Sequence, residues 1–135
     1  MTDDAIDGLA LEKIDRWQRG FEERAAQARA LNELTSELSA TAREGHGAVE
    51  VTVGSDGQIT RLWLDEEIRR QPAETTARQI MAAVRAAKES LVRDFARATA
   101  ETVGLDSATG QAVMRSVNAR LGRPDPESDG RDQAQ

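Results

Sequence analysis

The sequence predicts an α+β fold in which a small antiparallel sheet is held between two long helices, and three observations carry that prediction. Residues 47–65, GAVEVTVGSDGQITRLWLD, alternate with period two on both sides of a glycine-bearing turn, the pattern of a β-hairpin. Apolar residues at helical spacing run before and after that stretch. The chain holds two Trp, two Phe and no Tyr, so its core must be built from Leu, Ile, Val and Ala, which suits closely packed helices better than a thick sandwich.

Residues 9–37 contain no proline and one internal glycine, Gly20. Ile14, Trp17, Phe21, Ala25, Ala28, Leu31, Leu34 and Leu38 step by three and four along one face of a long amphipathic helix. The other face, with Glu12, Asp15, Arg16, Arg19, Glu22, Glu23, Arg29 and Glu33, mixes the two signs as a solvated face does. Residues 38–43 fit either a short polar edge strand or the tail of this helix.

In the hairpin, Val49, Val51 and Val53 share one face of the first strand. In the second strand Thr60, Leu62 and Leu64 share a face, and Ile59, Arg61 and Trp63 make up the other. Large apolar groups on both faces predict a central strand, covered by helix on one side and by something else, such as a second subunit, on the other. After a charged connector, Pro72 suits the first turn of a second long helix. Its apolar set is Ala77, Ile80, Val84, Ala87, Leu91, Phe95 and Ala98, widened by Met81 and Val92. Gly104 reads as a left-handed cap. A short helix follows, capped by Asp106 or Ser107, with Val113, Met114, Val117 and Leu121 on its apolar side and Gly110 weakening it. The predicted organisation is thus a flexible arm (1–8), an α-β-β-β-α domain (9–104), a short helix (105–121) and a disordered acidic tail (122–135).

A length of 135 residues fits one domain. The formal net charge of -6 opposes bulk attraction to nucleic acid. That charge is uneven. Asp3, Asp4 and Asp7 precede the first helix and Asp125, Glu127, Asp129 and Asp132 follow the last, whereas basic residues slightly outnumber acids along the second long helix. The absence of cysteine excludes disulfides, thiolate nucleophiles and Cys-ligated metals. No stretch is apolar enough for a membrane span, and MTDDAIDG lacks a signal-peptide pattern, so a cytoplasmic protein with no membrane association is expected.

Catalytic constellations lack parts. His46 is the one histidine and sits between Gly45 and Gly47 in a loop, so a His-pair metal site is excluded and a Ser-His-Asp arrangement would depend on this residue alone. Asp65, Glu66 and Glu67 are adjacent, and adjacent side chains diverge, so a solvated, capping role is expected of them. Gly54 and Gly57 flank a turn between strands and lack the lysine and helix of a phosphate loop. The expectation is therefore no enzyme, no catalytic residues, no metal and no cofactor.

The order helix, short strand, hairpin, long helix resembles the YbaB/EbfC family of small nucleoid-associated proteins, of the actinobacterial type. The carrying residues are GAVEVTVGSDGQITRLWLD and, after the connector, AETTARQIMAAVRAAKES. The resemblance covers residues 9–104 and implies that 38–43 is a first strand. It further implies a homodimer whose sheets join, with projecting helices that grip DNA. On that footing the sheet residues Val49, Val51, Ile59, Leu62, Trp63 and Leu64 are the expected dimer interface. The expected phosphate contacts are Arg16, Arg19, Arg24 and Arg29 on the first helix and Arg78, Arg85, Lys88, Arg93 and Arg97 on the second, with little base specificity. The implied function is sequence-tolerant, nucleoid-associated DNA binding. The alternative is a dimeric protein-interaction adaptor of the same fold, secretion-associated or regulatory, that binds another protein and no DNA.

Overall fold

The computed structural model describes residues 2–122. The acidic tail predicted for 122–135 lies, apart from Gly122, outside the described residues. The elements are α1 (Thr2–Ser36), β1 (Ser39–Glu44), β2 (Val49–Gly54), β3 (Ile59–Leu64), a short 3₁₀ helix (Glu66–Arg70), α2 (Ala73–Thr102) and α3 (Ala108–Leu121). The α-β-β-β-α order is the one expected, and residues 39–44 form a strand, not a helix tail. Helix α1 begins at Thr2, so the segment 1–8 read as an arm has helical backbone from residue 2. The segment has no proline to break the ladder, and Gly8 costs only about 1 kcal/mol of helix propensity.

The three strands pair antiparallel in the order β1-β2-β3. The first connection needs left-handed backbone at three successive residues, Gly45, His46 and Gly47, which accounts for the glycines on either side of the histidine. Between β2 and β3 the ladder holds Val51 opposite Leu62 and Glu50 opposite Trp63, then slips by one residue so that Val53 faces Ile59. Strict alternation had grouped Ile59 with Trp63. The bulge at Thr60 instead puts Ile59 in register with a core-facing valine.

Strand β2 is the central strand. Val49, Val51 and Val53 have no exposed surface, and with Ala40 they meet Ala83, Ala87, Leu91 and Phe95 of α2. The buried positions of α2 step by four, from Ala83 to Thr99, so Ala77 and Met81, which were expected in the apolar stripe, stand exposed. Helix α2 lies mainly across β1 and β2. Strand β3 is consequently an edge strand exposed along its whole length, not the central strand its two apolar faces suggested.

Helix α3 is an integral part of this core. Ser107 caps it, its Oγ accepting from the Gly110 N–H at 2.9 Å. Gly110 is not a weakness: it is buried, and an added Cβ would collide with the Gly104 carbonyl oxygen, so glycine is what lets the turn and the helix start approach. Gly104, left-handed as predicted, donates to Thr99 O. Val117 and Leu121 are buried in the core, and the Arg120 guanidinium lies 5.6 Å from the Phe95 ring centroid.

Among its described side chains, helix α1 joins the body near its C-terminal end. Leu31 and Thr35 are buried, the Thr35 hydroxyl donating to Leu31 O at 2.8 Å. Leu34, expected on the apolar face, is exposed because the packed face advances by four residues and passes it. Toward the N-terminus Ile14, Trp17 and Phe21 remain more than half exposed, with Trp17 and Phe21 stacked at 5.8 Å.

Candidate nucleic-acid interface

Cations that neutralise a polyanion must be presented on one accessible face, because affinity comes from displacing several counterions together. Helix α2 meets that condition. Arg78, Arg85, Arg93 and Arg97 are exposed, and they are separated by seven, eight and four residues. Arg85 stands two residues from Ala87, and Arg93 two from both Leu91 and Phe95. Two residues rotate a helix by about 200°, so the guanidinium stripe lies opposite the core stripe. The same packing that seats α2 on the sheet turns these arginines outward.

The stripe is not uniformly basic. Glu89 falls within it, and Arg97 lies 4.0 Å from Asp94, an exposed pair of small energetic weight. Arg78, Arg85 and Arg93 make no salt bridge among the described residues. Lys88 is half-buried and off the stripe.

The first-helix set is arranged differently. Arg16, Arg19, Arg24 and Arg29 are all exposed, but steps of three, five and five wind them around α1 without giving them a common face. Arg16 lies 4.0 Å from Glu12, and Arg24 folds back so that its Nε donates to Gly20 O at 3.1 Å.

Of the expected interface residues, the structure separates two groups. Val49 and Val51 are wholly buried beneath α2, so their face is already filled within the chain. Ile59, Leu62, Trp63 and Leu64, by contrast, are 50%, 47%, 41% and 36% exposed along the β3 edge. An edge strand with that much apolar surface presents both side chains and unpaired backbone groups to another chain. The opposite edge, β1, carries Ser39, Thr41 and Arg43, with the Thr41 and Thr52 hydroxyls 2.7 Å apart and Arg43 bonded to Glu50 at 3.1 Å.

Two acids of the connector after β3 serve local structure. Asp65 caps the 3₁₀ helix, its Oδ1 accepting from the Glu67 N–H at 3.1 Å, and Glu66 pairs with Arg69. Among the described residues no three His, Cys, Asp or Glu side chains converge as metal ligands. No helix of the described residues is long and apolar enough to cross a membrane.

One feature of this surface was not foreseen. Arg85, Glu89, Val92 and Arg93 of α2 face Met114, Asn118 and Leu121 of α3 across an open groove of about 480 Å³ that ends at Gly122. Its signal in the sequence is slight: Arg85, Glu89 and Arg93 spaced by four, which becomes a groove wall only once α3 is packed alongside.

No curated protein matches the chain. A family model matches residues 11–105, from within α1 to the turn after α2. That match spans most of the sequence, and with the observed α-β-β-β-α order the chain belongs to the YbaB/EbfC DNA-binding family.

Proposed function

We propose that this protein is a nucleoid-associated, non-enzymatic DNA-binding homodimer of the cytoplasm that grips duplex phosphates through arginines on its helices. Membership of a DNA-binding family is the observation that carries the reading. The outward stripe of Arg78, Arg85, Arg93 and Arg97 supports it, because guanidinium groups on one helix face fit successive phosphates without reading bases. On this reading Arg16, Arg19, Arg24 and Arg29 have a secondary part, since residues wound around a helix bring at most one or two to a given duplex. The exposed β3 residues Ile59, Leu62, Trp63 and Leu64 supply the proposed dimer contact, and joining two β3 edges would double the number of arginine stripes.

A gel-shift series against salt concentration tests the reading. Eight stripe arginines in a dimer, if all engaged, give a slope of log affinity on log salt of about -7. Absence of any shift of duplex DNA at low salt would overturn it.

A second reading, the adaptor that binds another protein, has one specific observation behind it. Ile14, Trp17 and Phe21 form an exposed apolar stripe on α1, a face suited to a partner helix. Protein partners captured by the chain and retained after nuclease treatment favour it, and their loss on nuclease treatment counts against it.

A further inference from the structure

We propose that the groove between α2 and α3 is the docking site of the chain's own acidic segment, residues 123–135, which thereby occupies arginines of the α2 stripe. The consequence for regulation rests on the DNA-binding reading above, whereas the docking itself does not.

Three observations identify this occupant. The groove is amphipathic: Val92, Met114 and Leu121 supply apolar lining, while Arg85 and Arg93 stand on its α2 wall with no salt-bridge partner among the described residues. Glu89 between them reduces but does not cancel that positive wall. The segment that leaves the groove has the complementary charge, with Asp125, Glu127, Asp129 and Asp132 against Arg123 and Arg131. Finally, Gly122 both caps α3 and lines the groove. An extended chain advances about 3.3 Å per residue, so Asp125 is within roughly 10 Å of the groove and the segment needs no long loop to enter it. A tethered ligand of this kind has a high effective concentration, so even weak individual contacts compete with an external polyanion.

Docked carboxylates would take the place of DNA phosphates at Arg85 and Arg93 and leave Arg78 and Arg97 to the DNA. The bound segment therefore tunes affinity without abolishing it, and salt acts on both contacts at once.

The chain has no native cysteine, so Ser128→Cys in the full chain accepts a single nitroxide label. At low salt the label is expected to broaden the amide NMR signals of residues 85–93 and 114–118, and the Arg85→Gln/Arg93→Gln pair is expected to remove that broadening. Neutralising the segment by Asp125→Asn, Glu127→Gln, Asp129→Asn and Asp132→Asn should raise affinity for duplex DNA by up to about fivefold, the ceiling set by a segment docked about four-fifths of the time. Absence of broadening, or broadening that persists in the arginine pair, overturns the docking whatever the DNA result. Broadening seen only when labelled and isotope-enriched chains are mixed moves the segment to a second copy and also overturns it. Intact broadening in a chain that binds no DNA before or after neutralisation supports the docking and sinks the DNA-binding reading instead.

Discussion

A Cβ on Gly57 would stand 2.8 Å from the carbonyl oxygen of Arg120, so the tip of the β2–β3 hairpin closes directly on the last turn of α3. Gly57 also has φ +86, and a side chain there meets both backbone strain and a backbone oxygen that cannot move aside. Gly57→Ala is expected to destabilise the fold by about 2–3 kcal/mol. Gly47→Ala is the comparison, since φ is +89 but the space is open, and strain alone costs about 1–2 kcal/mol. Urea unfolding of the two variants separates the effects. Equal midpoints would show that the contact with α3 imposes no constraint.

Helix α3 lies outside the matched residues 11–105 yet supplies two core residues. Leu121, at its last turn, is 1% exposed. Leu121→Ala should lower stability by about 2–5 kcal/mol, whereas Leu105→Ala, at a site 45% exposed, should stay within about 0.5 kcal/mol. Calorimetry that finds Leu121→Ala as mild as Leu105→Ala would mean that α3 is dispensable to the body.

The two arginine sets make different predictions for DNA. Each α2 arginine that contacts a phosphate contributes about 0.9 to the salt slope, so Arg78→Gln should flatten the slope by about 1.8 in a symmetric dimer, equally for unrelated sequences. Arg19→Gln, on the wound set of α1, is expected to change it less. A larger effect of Arg19→Gln would move the interface from α2 to α1.

The β3 edge predicts the oligomeric state. Leu62→Glu/Trp63→Glu places two charges on an apolar edge while leaving the wholly buried Val49, Val51 and Val53 in place. Light scattering after size exclusion should report a monomer for this variant, with the circular dichroism of the folded chain retained. A persistent dimer would transfer the contact elsewhere, with the exposed Ile14, Trp17 and Phe21 face as the next surface to mutate.

Much of this molecule was legible in residue order because its signals are local. The valine alternation, the glycine turns, the unbroken helical spacing of α2 and the Gly104 cap each depend on neighbours a few residues away. The misreadings of burial share one origin. The two apolar faces of β3 implied burial, and Leu34, Ala77 and Met81 sat at helical spacing, but which of several apolar positions is covered depends on where another element lies. Helix α2 settles over β1 and β2 and buries the residues stepping by four from Ala83, leaving β3 bare.

The candidate site divides in the same way. The identities and spacings of Arg78, Arg85, Arg93 and Arg97 were fixed by residue order, and with them a mixed-charge helix. Their outward orientation is a tertiary result, set by the opposite face packing on Val49, Val51 and Val53. The groove at Arg85 and Arg93 required α3 to return along α2, and that return depends on Gly57 and Gly110, which leave room for two close backbone approaches that no pairwise spacing in the sequence encodes.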